Sequence, residues 1–342
     1  MTSLPSARPG RPATPERPVV VVGGGIAGVA CARVLADASV PVRIVDRGRR
    51  MGGRMAVRHE DVAGTVRAVD IGASYFTVRD ERFAAVARGW RDRGLARVWT
   101  PTLQVISAGG PPPPVPSRDL DRWAAADGLR SLVEDLARDL PVTHDHEVEE
   151  VDVADGLSVD GEPAAAVVLA MPEPQAYDLL PEPLAESLGL GRGLDWAPTI
   201  AVWAAWPERW WGELDGAFVD GSPVVTWIAD DGRRRGDGAA VLVAHVTGVF
   251  ASARLDHPAS AQTPVLAEIG ALLGAEPVPA PLWVRSHRWS LASPRHPHDA
   301  PFALGDDLVG VCGDAWGPQA RIEQAWISGH ELGHALLTHL PT

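Results

Sequence analysis

Val19-Val20-Val21-Val22-Gly23-Gly24-Gly25-Ile26-Ala27-Gly28 is the stretch that decides the fold. A β-branched run reads as a buried strand, and the glycines that end it permit a tight turn. Ala27, Ala30, Cys31 and Ala32 then give a helix with a small-residue face able to lie close on a sheet. Val42 to Val45 form a second strand that ends at Asp46, eighteen residues after Gly28. Strand, glycine turn, helix, strand and acid in this order make Gly23-x-Gly25-xx-Gly28 a dinucleotide-binding fingerprint. Bare N–H groups and the helix dipole favour a pyrophosphate at Gly23, Gly25, Ile26, Ala27 and Gly28, and Asp46 accepts from ribose hydroxyls. A carboxylate there repels a 2′-phosphate, which disfavours NADP at this position.

The fingerprint by itself fits NAD as well as FAD, so the neighbouring segments have to separate them. Arg47-Gly48-Arg49-Arg50-Met51-Gly52-Gly53-Arg54-Met55 brings guanidiniums and glycines beside the pyrophosphate. Arg49 and Arg50 read as solvated charges, and Arg47, Gly53 and Arg54 as cofactor contacts. Near the other terminus, Val309-Gly310-Val311-Cys312 runs into Gly313-Asp314-Ala315-Trp316, and a helical pattern follows from Arg321-Ile322. Asp314 reads either as a partner of ribityl hydroxyls or as an ordinary turn or cap residue. The helix start at Ile322 to Ala325 would aim a positive dipole end at a flavin pyrimidine, where reduced flavin carries negative charge. A second helix start at the far end of a long dinucleotide points to FAD.

Length and composition bound the remaining possibilities. A chain of 342 residues suggests two domains with ample core. A net charge of −13 argues against a nucleic-acid partner. The chain contains neither lysine nor asparagine, so no Schiff base and no lysine-assisted step is available. Cys31 and Cys312 are the only cysteines, which excludes a CxxC pair and a disulfide framework and fits a reducing cytoplasm. No apolar run approaches the roughly 20 residues of a membrane span, and residues 1–17 lack an apolar signal region and read as a disordered tail. Oligomeric state is not legible.

Residues 80–95 and 127–139 read as helices, and Pro141 to Val153 and Ala164 to Ala170 as strands. Ala108 to Ser117, with its successive prolines, reads as a surface loop. From about 173 to 300 the pattern changes to alternating, Trp-rich segments: Thr199 to Trp206, Val224 to Ala229, Ala240 to Val246 and Leu282 to Trp289. Period-two alternation of β-branched and aromatic residues argues for an antiparallel sheet. The expected fold class is therefore α/β. A discontinuous FAD-binding Rossmann-like domain (18–78, 127–172 and 302–342) would carry an inserted, mainly antiparallel substrate domain with helices (79–126 and 173–301).

Two further motifs compete for attention. Gly189-Leu190-Gly191-Arg192-Gly193 follows no strand and reads as a turn. His330-Glu331-Leu332-Gly333-His334 matches H-E-x-x-H, which on a helix places two imidazoles and a base on one face for zinc. A third ligand is missing at the expected spacing, and Ile322, Ala325, Trp326, Gly329, Leu332 and Leu336 form an apolar stripe that leaves both histidines at its polar flank. A zinc peptidase is the alternative from a different class; the site reading itself assigns no metal.

With these residues in hand, the chain resembles renalase-type flavoproteins of the FAD-dependent amine-oxidase superfamily. The resemblance runs from about Val19 to Leu337. It rests on the glycine-rich start, Gly52-Gly53-Arg54-Met55, the Val69-to-Phe83 segment, Val167-to-Ala176, Ser286-to-Pro294 and Val311-to-Gly329. It implies non-covalent FAD held at Gly23, Gly25, Gly28, Asp46, Arg54, Val148 through its backbone, Asp314 and the Ile322–Ala325 helix start; Gly72, Ala73 and Gly313 are added as cofactor contacts. It further implies hydride transfer from isomeric dihydronicotinamide NAD(P)H forms to flavin N5, with O2 as acceptor and hydrogen peroxide as product. Tyr75, His245, His287, Trp289 and Arg321 are the candidates for the substrate face; His245 in its apolar strand and Trp289 also read as core. The chain departs from the family at Ser290-Leu291, where Arg-Tyr often stands, a change that bears on substrate preference. An amine oxidase or a desaturase on the same scaffold, and a non-catalytic flavin-binding protein, are the remaining alternatives.

Overall fold

The computed structural model describes residues 12–109, 120–191 and 195–340. The expected tail over 1–17, the loop over 108–117 and the turn over 189–193 lie partly outside the described residues; within them, Thr14 and Arg17 form a small bridge. The chain divides into two compact units.

The first unit comprises Met1–Gly53, Val133–Asp195 and Pro294–Thr342. Its six-stranded sheet runs in the order Ala303–Leu304, Val309–Val311, Ala166–Leu169, Val19–Val22, Val42–Val45, Val142–Thr143. Every neighbouring pair is parallel except the first, which is antiparallel. Val19–Val22 lies in the middle with all four side chains buried, which is why it reads as an unbroken apolar run rather than an alternating one. From this strand the chain passes to Val42–Val45 on one side, while Ala166–Leu169 pairs on the other. The crevice beyond Val22 is thus the point where strand order reverses, where α/β sheets hold ligands.

Helix Ile26–Asp37 and the C-terminal helix Ile322–His339 pack closely because neither puts bulk at the crossing. A Cβ at Gly329 would lie 1.9 Å from the Ala27 carbonyl oxygen, and one at Gly333 would lie 2.9 Å from Val34 Cβ. The expected strand over Pro141 to Val153 survives only at Val142–Thr143 and Val151–Asp152. Between them the Asp160 carboxylate takes the N–H groups of Glu149 and Glu150 at 2.9 and 3.1 Å, so a side chain replaces a neighbouring strand.

The second unit comprises Arg54–Leu132 and Trp196–Ser293. Its six-stranded sheet runs Trp283–Pro294, Trp196–Ala205, Val241–Val246, Val225–Asp230, Gly216–Asp220, Gln104–Ser107. The inner pairs are antiparallel, and Gln104–Ser107 joins in parallel. Alternation gives the sheet two apolar faces. Ile200, Val202, Ile228, Leu242 and Ala244 pack with Val265 and Ile269 of helix Gln262–Leu273. Ala201, Trp203, Val241 and Val243 pack with Val69 and Ile71, which belong to the hairpin Val57–Val62/Thr65–Asp70 and the segment after it. That packing groups residues 54–78 with the Trp-rich sheet. Residues 173–195 group with the first unit, where Leu179 accepts the Val151 N–H at 3.0 Å.

Candidate active site

In the first unit the glycine turn forms an open cradle. Gly25 caps helix Ile26–Asp37, no side chain caps that end, and the first turn carries no acid. A Cβ at Gly25 would meet nothing within 4 Å, whereas one at Gly28 would lie 2.1 Å from the Gly23 carbonyl oxygen. The two glycines therefore do different work: Gly28 lets the helix close on the turn, and Gly25 leaves room above the first-turn amides for an anion. Asp46 closes the side of the cradle, accepting from Gly24 N–H at 2.5 Å and Gly48 N–H at 2.7 Å. Each carboxylate oxygen retains a lone pair for a ribose hydroxyl. The loop returns through Gly52, whose N–H donates to Gly24 O at 2.9 Å, and Gly53 lies against Gly25. Val148 is buried two residues beyond His146, whose N–H donates to Asp46 O at 3.2 Å. This donor set fits an adenine dinucleotide. Arg47 instead pairs with Glu147 at 3.4 Å on the surface.

The C-terminal segment of the same unit is tied down from several directions. Gly313 N–H donates to Ser328 Oγ at 3.0 Å, and Gln324 Nε2 donates to Trp316 O at 2.7 Å. The His298 ring stacks on Trp316 at 3.9 Å and reaches the buried Glu173 carboxylate at 3.2 Å. The helix begins at Ile322 as its pattern predicts, with Ile322 and Ala325 buried. Sequence reading passed over Glu323, a buried acid in the first turn that lies 3.7 Å from Arg321 Nε and already occupies part of the positive helix end. Cys31 and Cys312 are buried; burial pushes Cys312 up to about 12, and burial together with Cys312 pushes Cys31 well above the usual thiol range.

In the second unit the segment Asp70 to Tyr75 is held almost atom by atom. Arg54 O accepts Ala73 N–H at 2.9 Å, and a Cβ at Gly72 would lie 1.9 Å from that same oxygen. The Arg54 guanidinium donates to Ala292 O at 3.3 Å and lies 5.0 Å from the Trp196 ring centroid. Arg234, fully buried, donates to Ser74 O at 2.9 Å, to Asp70 O at 3.3 Å and to the Asp231 carboxylate. Asp70 in turn accepts Leu129 N–H at 2.7 Å; burial raises its carboxyl above the usual range, against the pull of Arg234. Ile71 O accepts from Trp289 Nε1 at 2.9 Å.

Four of the five substrate-face candidates belong to this unit. Trp289 lies edge-on to His287 at 4.6 Å, and the Ile71 backbone links Trp289 to His245. Tyr75 packs against Trp99 and Trp227, with centroids 6.2 and 5.8 Å away. Arg321 belongs to the first unit. The charged groups acting on three of these side chains share one sign. Burial raises the Tyr75 phenol, while Arg122 and Arg79 oppose it. Burial, then Arg58 and Arg288, lowers His287, and burial with Arg234 brings His245 down to about 4. These arginines were missed in the sequence because they come from distant segments; Asp231-x-x-Arg234 at helical spacing was the one local sign. His330 lies against Trp326 and against His334, each pair tilted with ring centroids 4.6 Å apart, and among the described residues no group of three His, Cys, Asp or Glu side chains is placed to hold a metal. No described helix is long and apolar enough to cross a membrane.

Comparison with known proteins fits both units. The family profile of flavin containing amine oxidoreductases matches residues 98–332, and that of NAD(P)-binding Rossmann-like domains matches residues 21–90. The chain belongs to the flavin containing amine oxidoreductase family. It is an FAD-dependent oxidoreductase. Amine oxidase [flavin-containing] B of Sus scrofa is 30% identical over 133 residues, a match spanning 36% of this chain and 24% of that protein. Among solved structures, a triple mutant of putrescine oxidase superposes with a TM-score of 0.72 at 15% identity, covering 94% of this chain and 99% of that one. Cyclohexylamine oxidase from Brevibacterium oxydans gives 0.72 at 14% identity, covering 95% and 99%. At such identities the likeness is one of fold.

Two predictions follow from the geometry. Compared as apoproteins, Gly25→Ala unfolds in urea at the wild-type midpoint yet retains little FAD, because its methyl enters only the open cradle. Gly28→Ala loses about 1–3 kcal/mol or more through overlap with Gly23; wild-type flavin content in Gly25→Ala would remove the pyrophosphate assignment. The second concerns His245, which binds its proton more weakly folded, at about 4, than at its ordinary 6.5. Between those values the unfolded chain takes up the proton first, so acidification lowers stability. A tenfold difference in proton affinity is about 1.4 kcal/mol, and the loss reaches roughly 3 kcal/mol. Urea titrations from pH 7 to pH 4 should show this slope flattened in His245→Gln; identical slopes would contradict it.

Proposed function

We propose that this oxidoreductase is renalase-like, taking a hydride from isomeric dihydronicotinamide nucleotides, small substrates that leave as NAD(P)+. Bound non-covalently, FAD supplies a two-electron acceptor that passes its electrons to O2, giving hydrogen peroxide. The amides of Gly23, Gly25 and Gly28 with the first turn of helix Ile26–Asp37 would hold the pyrophosphate, Asp46 the ribose, Val148 the adenine through its backbone, and Asp314 the ribityl chain. Gly313 would complete the cofactor contacts of the first unit, where Arg47 is instead paired with Glu147; in the second unit Gly72 and Ala73 present close-packed backbone against Arg54 O. We assign the protein to the cytoplasm, in keeping with its two unpaired, buried thiols.

One observation carries this choice of substrate: the charges acting on Tyr75, His245 and His287 are guanidiniums. A protonated amine near Arg58, Arg79, Arg122 and Arg288 would be repelled, whereas the charge of Arg234 is offset by Asp70 and Asp231. A phosphate-bearing nucleotide is attracted by the same groups. The absence of lysine from the chain agrees, since a dihydronicotinamide loses hydride under the drive of aromatisation and requires no base. The side chains then act by positioning: Trp289 and Tyr75 supply flat surface, and His287 and His245 supply polar contacts. The rival reading, an amine oxidase, draws on the names of the relatives, putrescine oxidase and cyclohexylamine oxidase.

Anaerobic rapid mixing distinguishes the two. The 2- and 6-dihydronicotinamide nucleotides should bleach the flavin band within the mixing experiment, and putrescine, cyclohexylamine and benzylamine should leave it oxidised. Bleaching by an amine but by neither nucleotide isomer would overturn the proposal.

A further inference from the structure

Tyr75 and His245, given only general positioning roles above, share a cluster of the second unit with Trp99 and Trp227, which have been given none. Ala201, His245, Trp227 and Phe218 are register partners across four adjacent strands, so their side chains share one face in a single row. Tyr75 packs on Trp227, and Trp99 on Tyr75. Gly216 makes the crowding possible: a Cβ there would lie 2.7 Å from the Trp227 indole and 2.9 Å from that of Trp99. Ala201 leaves the His245 side of the row low, and Phe218, 43% exposed, ends it at solvent.

The polar atoms of this cluster are unmatched. Trp99 and Trp227 are 8% and 5% exposed, and the Nε1 of each is buried with no hydrogen-bond partner among the described residues. An indole N–H only donates. His245 hydrogen-bonds to the Ile71 backbone through one ring nitrogen, and its buried Nε2 has no partner. In the neutral ring a donating Nδ1–H leaves Nε2 as an acceptor. Buried tryptophans ordinarily satisfy their N–H, and two orphaned indole donors beside an orphaned imidazole acceptor in one cluster are what a ligand carrying both functions would match.

We propose that Tyr75, Trp99, Trp227 and His245 form a subsite for a flat ring bearing a primary carboxamide. The aromatic faces take the ring, the indole N–H groups donate to the amide oxygen, and the amide N–H donates to His245 Nε2. A primary amide is the small group that offers an acceptor and a donor together without charge. The inference rests on the dihydronicotinamide reading and deepens it, by naming the group through which the nicotinamide is recognised.

The test compares binding of NAD+ and of 3-acetylpyridine adenine dinucleotide, which has the same charge and keeps the carbonyl but lacks the amide N–H, to the holoenzyme by calorimetry. Wild type should bind NAD+ about 5- to 10-fold more tightly, the size of one hydrogen bond. His245→Leu should abolish this preference, whereas Trp227→Phe and Trp99→Phe should weaken both nucleotides alike while keeping wild-type flavin content and thermal stability. Equal affinity of wild type for the two nucleotides, or unchanged binding in both Trp→Phe variants, would overturn the subsite. If wild type also oxidises the dihydronicotinamide isomers, that failure leaves the substrate reading standing. If neither nucleotide binds and no isomer bleaches the flavin, both fall.

Discussion

No methyl group fits at position 28, and most of the first unit follows from that. The helix that begins at Ile26 approaches its own strand so closely that a Cβ would fall 2.1 Å from the Gly23 carbonyl oxygen. Only glycine allows this approach, and the approach brings the first-turn amides over the carboxyl end of the central strand. The C-terminal helix repeats the constraint at Gly329, where Ala27 O would lie 1.9 Å from a Cβ. Backbone thus meets backbone at each crossing, leaving the cradle bounded by peptide groups and by the Asp46 carboxylate rather than by bulky side chains.

Much of that unit is legible in the amino-acid sequence. Val19–Val22 announces itself because a strand covered on both faces must be apolar throughout, and Gly25, Gly28 and Asp46 announce themselves through spacing. What escaped were interactions with no local signature. Arg234 binds the carbonyl of Ser74, 160 positions away, and the hairpin at 57–70 earned its place in the second unit through contacts that no periodicity encodes. The strand read over 141–153 was lost to Asp160, a side chain competing for the backbone donors. Glu323 was visible as a letter, but only the helix start gave it meaning. The likeness to a renalase-type flavoprotein led to the correct superfamily, and the substrate it implied stands as a proposal.

The second unit shows a different economy. A fully buried Arg234 with Asp70 and Asp231 is poor material for stability on its own account, since desolvation offsets the attraction. Its bonds go mainly to main-chain carbonyls at the two ends of the Asp70–Ser74 segment, so it fixes where Tyr75 leaves the backbone. Removing it would leave the buried Asp70 carboxylate without its nearest guanidinium, at a cost of about 3–5 kcal/mol, while Asp231 would keep Arg235. Burial, with help from the same guanidinium, keeps His245 uncharged. One residue therefore sets the placement of one neighbouring side chain and adds to the control of another's protonation.

The account turns on glycine-lined backbone and one acid forming a complete seat for FAD, and titration of FAD into the deflavinated chain, followed by flavin fluorescence, tests this most directly. Saturable uptake of one equivalent, with the adenine half (as ADP) competing for the same seat, is the predicted result. Failure of the folded apoprotein to take up FAD, or uptake that ADP leaves untouched, would contradict it.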